Sequence, residues 1–143
     1  MKDVVLPLRV GYLALLDNIV VEGREIQAFD LQADSGVEPP YIVIEGIFQI
    51  SNNTKDSFGG EVTVDILVYN EFKGDFGGRE TTDKITDEIL TRVIPVPGRS
   101  GVAASGFNVY MAKLVGSNDE MNYANTGRKY RKRITIEHLV EQL

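Results

Sequence analysis

The residues best equipped for chemistry lie near the C-terminal end, in the run Arg128-Lys129-Tyr130-Arg131-Lys132-Arg133. Residues 128–133 hold five positive charges and no negative one, in a chain whose net charge is −6. On an extended backbone, Lys129, Arg131 and Arg133 project from one face and Arg128, Tyr130 and Lys132 from the other. Ile134, Ile136 and His138 continue the Tyr130 face. Three uses fit such a strand. Charge protects an exposed sheet edge from pairing with another chain. A basic stripe suits an acidic partner, and another copy of this acidic chain would be one. Phosphate is the third, although an acidic body is a poor general nucleic-acid binder. One aromatic in the run is too few for a base-stacking platform. Arg128, Lys129, Arg131, Lys132 and Arg133 are therefore the candidate partner-binding residues.

Other chemistry finds no constellation. His138 is the single histidine and there is no cysteine, whereas zinc and iron sites want several N or S ligands. Asp83, Asp87 and Glu88 match the solvent side of one helix, and Asp17, Asp30 and Asp34 sit at element ends, where capping and turns favour Asp. Gly59-Gly60 and Gly74-Asp75-Phe76-Gly77-Gly78 lack the spacing and the Lys-Ser/Thr of a phosphate loop. Gly77-Gly78 does precede a helix N-terminus, but Glu80 and Asp83 already complement that dipole. Gly98-Arg99-Ser100-Gly101 is no nucleophile elbow, and neither Ser100 nor Ser105 has a histidine at a useful place. The expectation is no catalytic residue, no metal and no cofactor.

The elements that must position the basic run follow from periodicity. A first helix is expected over about Asp3 to Asn18, capped by Asp3, with Pro7 in the first turn where its missing N–H is not needed. Leu6, Val10, Leu13 and Asp17 form one stripe, with Leu8, Tyr12, Leu15 and Leu16 around it. So wide an apolar arc is either pressed between a sheet and a loop or meets a neighbouring subunit. Residues 19–32 read as a strand or ragged hairpin turning at Glu22-Gly23, and Gln32 to Pro40 as a loop. Tyr41 to Ile50 alternates, with Ile42, Ile44, Phe48 and Ile50 on one face. Ser51 to Gly60 is a hairpin loop. Glu61 to Tyr69 is a second strand, pointing Val62, Val64, Ile66 and Val68 inward and Glu61, Thr63 and Asp65 to water. Asn70 to Gly78 is a loop. A second helix spans about Arg79 to Ile94, buries Thr82, Ile85, Ile89, Leu90 and Val93, and is stopped by Pro95. Val96 to Gly106 is expected to be a flexible loop, Phe107 to Val115 a strand, Gly116 to Gly127 another loop, and Arg128 to about His138 the last strand.

Length, with no internal repeat and no shift in composition, predicts one domain over the 143 residues. The apolar runs are too short to span a bilayer, and the N-terminal residues lack the pattern of a signal peptide. The fold class is α+β: a mainly antiparallel sheet of about four to five strands with two helices packed on one face, in the order α-β-β-β-α-β-β. Val10, Leu13, Ile44, Phe48, Val64, Ile66, Ile85 and Ile89 are the expected core.

One family shares this layout. The marks are Leu-Leu in the first helix, Pro-Pro-Tyr-Ile-Val-Ile at 39–44, a strand ending Ile66-Leu67-Val68-Tyr69, a Gly-bearing loop, the helix Thr82-Asp83-Lys84-Ile85-Thr86-Asp87-Glu88-Ile89-Leu90 and a closing strand pair. Over residues 4–137 this resembles the small tail completion proteins of long-tailed phages, the tail terminator or tail-to-head joining family. The resemblance implies a virion structural protein in the tail, assembled in the host cytoplasm. It implies a homo-oligomeric ring, usually a hexamer, that caps the tail tube and joins it to the head connector. DNA would pass through without sequence-specific binding, and no membrane is involved. The family has no catalytic residues to carry over. This chain departs from it in the longer loop at 95–106 and in the concentrated basic strand. A small non-catalytic protein-binding module, monomeric or dimeric, is the alternative.

Overall fold

The computed structural model describes residues 1–72, 79–124 and 127–143, apart from the side chains of 122–124 and 128. The elements are α1 (Val5–Leu15), β1 (Ile19–Val21), β2 (Arg24–Ile26), β3 (Ala28–Asp30), β4 (Tyr41–Ser51), β5 (Gly59–Phe72), α2 (Glu80–Val93), β6 (Phe107–Ala124) and β7 (Gly127–Gln142). The class is α+β, as expected, and residues 19–30 form the expected hairpin turning at Glu22-Gly23, followed by a third short strand, β3. Glu22 and Gly23, both at positive φ (54° and 76°), make the tight β1–β2 hairpin. The main sheet has five strands in the order β3-β4-β5-β7-β6. Every pairing is antiparallel except the short β3–β4 one. The Gly-rich segment expected before α2, including Gly74, Gly77 and Gly78, lies outside the described residues.

One sheet face carries the core. Val62, Val64, Ile66 and Val68 of β5 and Ile134, Ile136 and Val140 of β7 are buried there in one cluster with Ile85, Ile89 and Val93 of α2 and Leu8 and Tyr12 of α1. Arg92 of α2 ties the helices together. Its guanidinium donates to the carbonyls of Leu15 (3.0 Å), Asp17 (2.6 Å) and Asn18 (3.3 Å), satisfying acceptors that the end of α1 leaves open.

Two expected core residues are outside it. Val10 is 57% exposed and Phe48 66%. In α1 the buried stripe is Val4, Leu8, Tyr12 and Leu16, at i,i+4 spacing. A helix apolar on most sides offers two such stripes, and packing selects the one whose Tyr12 hydroxyl has a buried partner. Leu6 and Val10 face out, and Leu13 is only partly buried. In β4 a bulge falls between Ile44 and Gly46. The extra residue reverses the alternation, so Ile47 packs on the core while Phe48 and Ile50 turn to the opposite face.

The closing strands also differ from expectation. Residues 116–124 are strand, not loop, because β7 provides a continuous pairing template across bulges at Tyr110 and Val115. The C-terminal residues to Gln142 are strand as well. β7 is not an edge: it lies between β5 and β6, so edge protection is not what its charges do. Nor is 96–106 held loosely. Gly101 N–H donates to Val93 (2.7 Å), and Val102 and Ala104 are buried. A Cβ on Gly11 would lie 1.9 Å from the Ala103 carbonyl oxygen, and one on Gly101 would lie 2.1 Å from that of Arg92. Only glycine permits these two approaches.

Candidate interaction surfaces

The basic run divides between the two sheet faces as alternation requires. Arg131 and Arg133 stand on the helix-free face among carboxylates. Arg131 Nε donates to Glu120 Oε2 at 2.7 Å, and its Nη2 reaches the same oxygen. Arg133 Nη1 donates to Glu45 at 2.7 Å, with Asp65 at 3.8 Å and Glu120 at 3.7 Å. Thr135 donates to Asp65 at 2.7 Å. The result is a charge network across β4, β5, β7 and β6. Hydrogen bonding from Arg131 holds the Glu120 carboxyl below its usual range, and Glu120 in turn raises the Arg131 guanidinium.

Lys132 points the other way, to Asp83 in the first turn of α2 at 2.9 Å. Tyr130, on the same face, is buried edge-on against Phe72, with centroids 5.3 Å apart. Lys129 is exposed and, with Tyr69, Glu120, Tyr130 and Arg131, lines a shallow depression of about 140 Å³. The backbone of Arg128 pairs with Phe72 and Tyr123; its side chain lies outside the described residues. Three of the five candidate cations therefore have carboxylate partners within their own chain. Such solvent-exposed pairs add little to stability. Their larger effect is to offset the cations, so that the run does not make either face strongly positive.

An aromatic row continues the same face. Tyr41 stacks on Tyr69 at 5.2 Å and meets Phe29 edge-on at 6.0 Å. Burial, then the neighbouring Tyr69 and Glu71, raise the Tyr41 phenol.

His138 is a core residue. Its Nδ1 lies 3.2 Å from the Met111 carbonyl and its Nε2 meets the Tyr12 hydroxyl. A carbonyl only accepts, so Nδ1 carries the proton and Tyr12 O–H donates to Nε2. Burial pushes the imidazole down to about 4 and the Tyr12 phenol up. This pair pins α1 to β7 and β6. Among the described residues, no group of three His, Cys, Asp or Glu is placed to hold a metal ion. Asp83 and Glu88 pair with Lys132 and Arg92, and Asp87 is exposed. Ser100 Oγ accepts the Val102 N–H at 3.1 Å, a turn role.

A second surface lies on α1. Leu6, Pro7, Val10, Gly11 and Ala14 of α1 and residues 103–105 line an open apolar groove of about 600 Å³. Val10 was expected in the core, but it and Leu6 are exposed, on the wide apolar arc for which a neighbouring subunit was one of the two expected partners. Exposed apolar patches of this kind characterise contact sites. No described helix is long and apolar enough to cross a membrane.

The fold is shared with a chain from the virion of a native gene transfer agent (GTA) particle, with TM-score 0.61 and 14% identity over 96% of this chain and 91% of that one. No family model and no curated protein matches the sequence. At this identity the likeness defines the fold, and it does so along nearly the whole of both chains.

Proposed function

We propose that this chain is a structural component of a phage-like virion, acting as a non-catalytic ring at the head-proximal end of a tail. The ring caps the tail tube, joins it to the head connector and lets DNA pass. The observation that carries this reading is the end-to-end fold likeness to a virion chain of a gene transfer agent particle. The order of elements, which resembles tail completion proteins, supports it independently. The exposed groove on α1 supplies an apolar surface for a virion neighbour. The carboxylates that pair with Arg131 and Arg133 on the helix-free face speak against tight nucleic-acid binding, because phosphate affinity comes from cations in excess. Deleting the coding sequence in a producing cell tests the role. The expected result, by electron microscopy, is filled heads and tails that fail to join, with rescue by the chain supplied in trans. Joined, competent particles without it would overturn the proposal.

A further inference from the structure

We infer that copies of this chain join edge to edge: the open half of β4 in one copy pairs antiparallel with residues 109–116 of β6 in the next, so that the sheets run on as one. This rests on the ring reading and assigns it a contact.

The sheet has two open edges, and they lie on opposite sides. β3 covers only Ile42 to Ile44 of β4, and Gly46 to Ser51 pair with β5 alone among the described residues. β6, with 18 residues, has β7 as its one strand partner among the described residues, apart from the bridge of Phe107 to Ala104 at its start. The registers place these edges at one level. Phe48 is opposite Thr63, Thr63 opposite Glu137, and Glu137 opposite Lys113. In the same way Ile50 leads through Glu61 and Leu139 to Met111, and Gly46 through Asp65 and Thr135 to Gly116. A neighbour placed beside the sheet without a rise along the strands therefore meets the open half of β4 with residues 109–116 of β6. Contacts between unlike surfaces on opposite sides of a subunit close into rings when no rise accumulates.

Polarity agrees. β4, β5, β7 and β6 alternate in direction, so β6 meeting a neighbour's β4 continues the alternation, with all helices on one side. Charge agrees as well. Residues 46–51 carry no charge, and residues 107–118 carry only Lys113, so no like charges oppose each other. An edge this long in a lone molecule ordinarily carries more charge to repel other strands. Apolar side chains stand exposed at both edges: Phe48 and Ile50 on β4, Tyr110 and Val115 on β6. Such side chains stabilise a ladder as cross-strand neighbours. Shape supplies the last argument. β3 ends at the level of Ser117, reached through Ile44, Ile66 and Ile134. β6 bulges at Val115, just before that level. Bulges bend a strand, and a bend there carries β6 clear of the neighbour's β3.

The chain has no cysteine, so crosslinking tests the contact cleanly in the full-length protein. Lys113→Cys is combined in turn with Ile47→Cys, Phe48→Cys, Gln49→Cys and Ile50→Cys, then oxidised at a concentration where the parent is oligomeric. Thermal melting confirms that each variant folds. The expected result is a ladder of covalent species for at least one pairing, which neither single variant yields. Intact oligomers without any ladder would overturn the edge contact while leaving the ring reading standing. Dimers from Lys113→Cys alone would overturn it in favour of β6 pairing with itself. A parent that is monomeric at every concentration would defeat both.

Discussion

Acid should loosen this protein through one side chain. His138 is fully buried, neutral and held between Tyr12 and Met111. In the unfolded chain its imidazole binds a proton near its ordinary 6.5; in the fold it does so only near about 4. Between those values the unfolded state holds more protons, so falling pH favours unfolding. Above 6.5 both states are neutral and the effect vanishes; below about 4 both are charged and the penalty levels off. Linkage gives a loss of about 2 kcal/mol at about pH 5 relative to neutral pH, and about 3 kcal/mol in full. For a chain of this size the former lowers Tm by roughly 4–8 °C. Carboxylates contribute in the same range, so the assay needs a reference that shares them. Tyr12→Phe with His138→Leu removes both partners of the buried pair, a change that can be nearly neutral at neutral pH. Urea denaturation of the two proteins from about pH 7.5 down to about pH 4.5 isolates the histidine. The double variant should lose less stability than the parent, by about 2 kcal/mol at about pH 5. Parallel curves would refute the assignment of His138 as the acid-sensitive group.

Gly11→Ala forces a Cβ to within 1.9 Å of the Ala103 oxygen and should cost about 1–3 kcal/mol, with faster amide exchange at residues 102–105 reporting the displaced segment. Gly101→Ala should behave alike, by denaturant midpoint. Arg133→Glu places a fourth acid beside Glu45, Asp65 and Glu120 and should lower stability; adding Glu45→Arg restores the pairing and should recover most of the loss in a double-mutant cycle. At concentrations where the chain is monomeric, Phe48→Ser should change stability by about 0.5 kcal/mol or less, whereas Ile44→Ala should cost about 2–5 kcal/mol; equal effects by denaturation would contradict the bulge in β4.

The two helices, the alternation of β5 and the buried face of α2 were legible because each depends on local period and on punctuation such as Pro95. The misplaced residues share a different cause. Phe48 was placed by extrapolating an alternation through Glu45, and one inserted residue reverses every later side chain. Val10 was chosen over Tyr12 because an apolar count cannot weigh a buried hydrogen bond with a residue 126 positions away. Residues 116–124 read as loop because 116–121 are wet on both faces of an edge strand and show no alternation; only pairing with β7 makes the segment a strand. The basic run was found and its faces correctly divided. Its partners Glu45, Asp65, Asp83 and Glu120 were not, since they arrive from four other elements. The groove on α1 became visible only once packing had chosen which stripe to bury.

Native mass spectrometry of the full chain, repeated over a range of concentrations, decides whether the ring forms. The expected result is one closed oligomer at a whole multiple of the 15.9 kDa chain mass, with the sixfold species expected from the resemblance to tail completion proteins. A chain that remains monomeric at every concentration would contradict it.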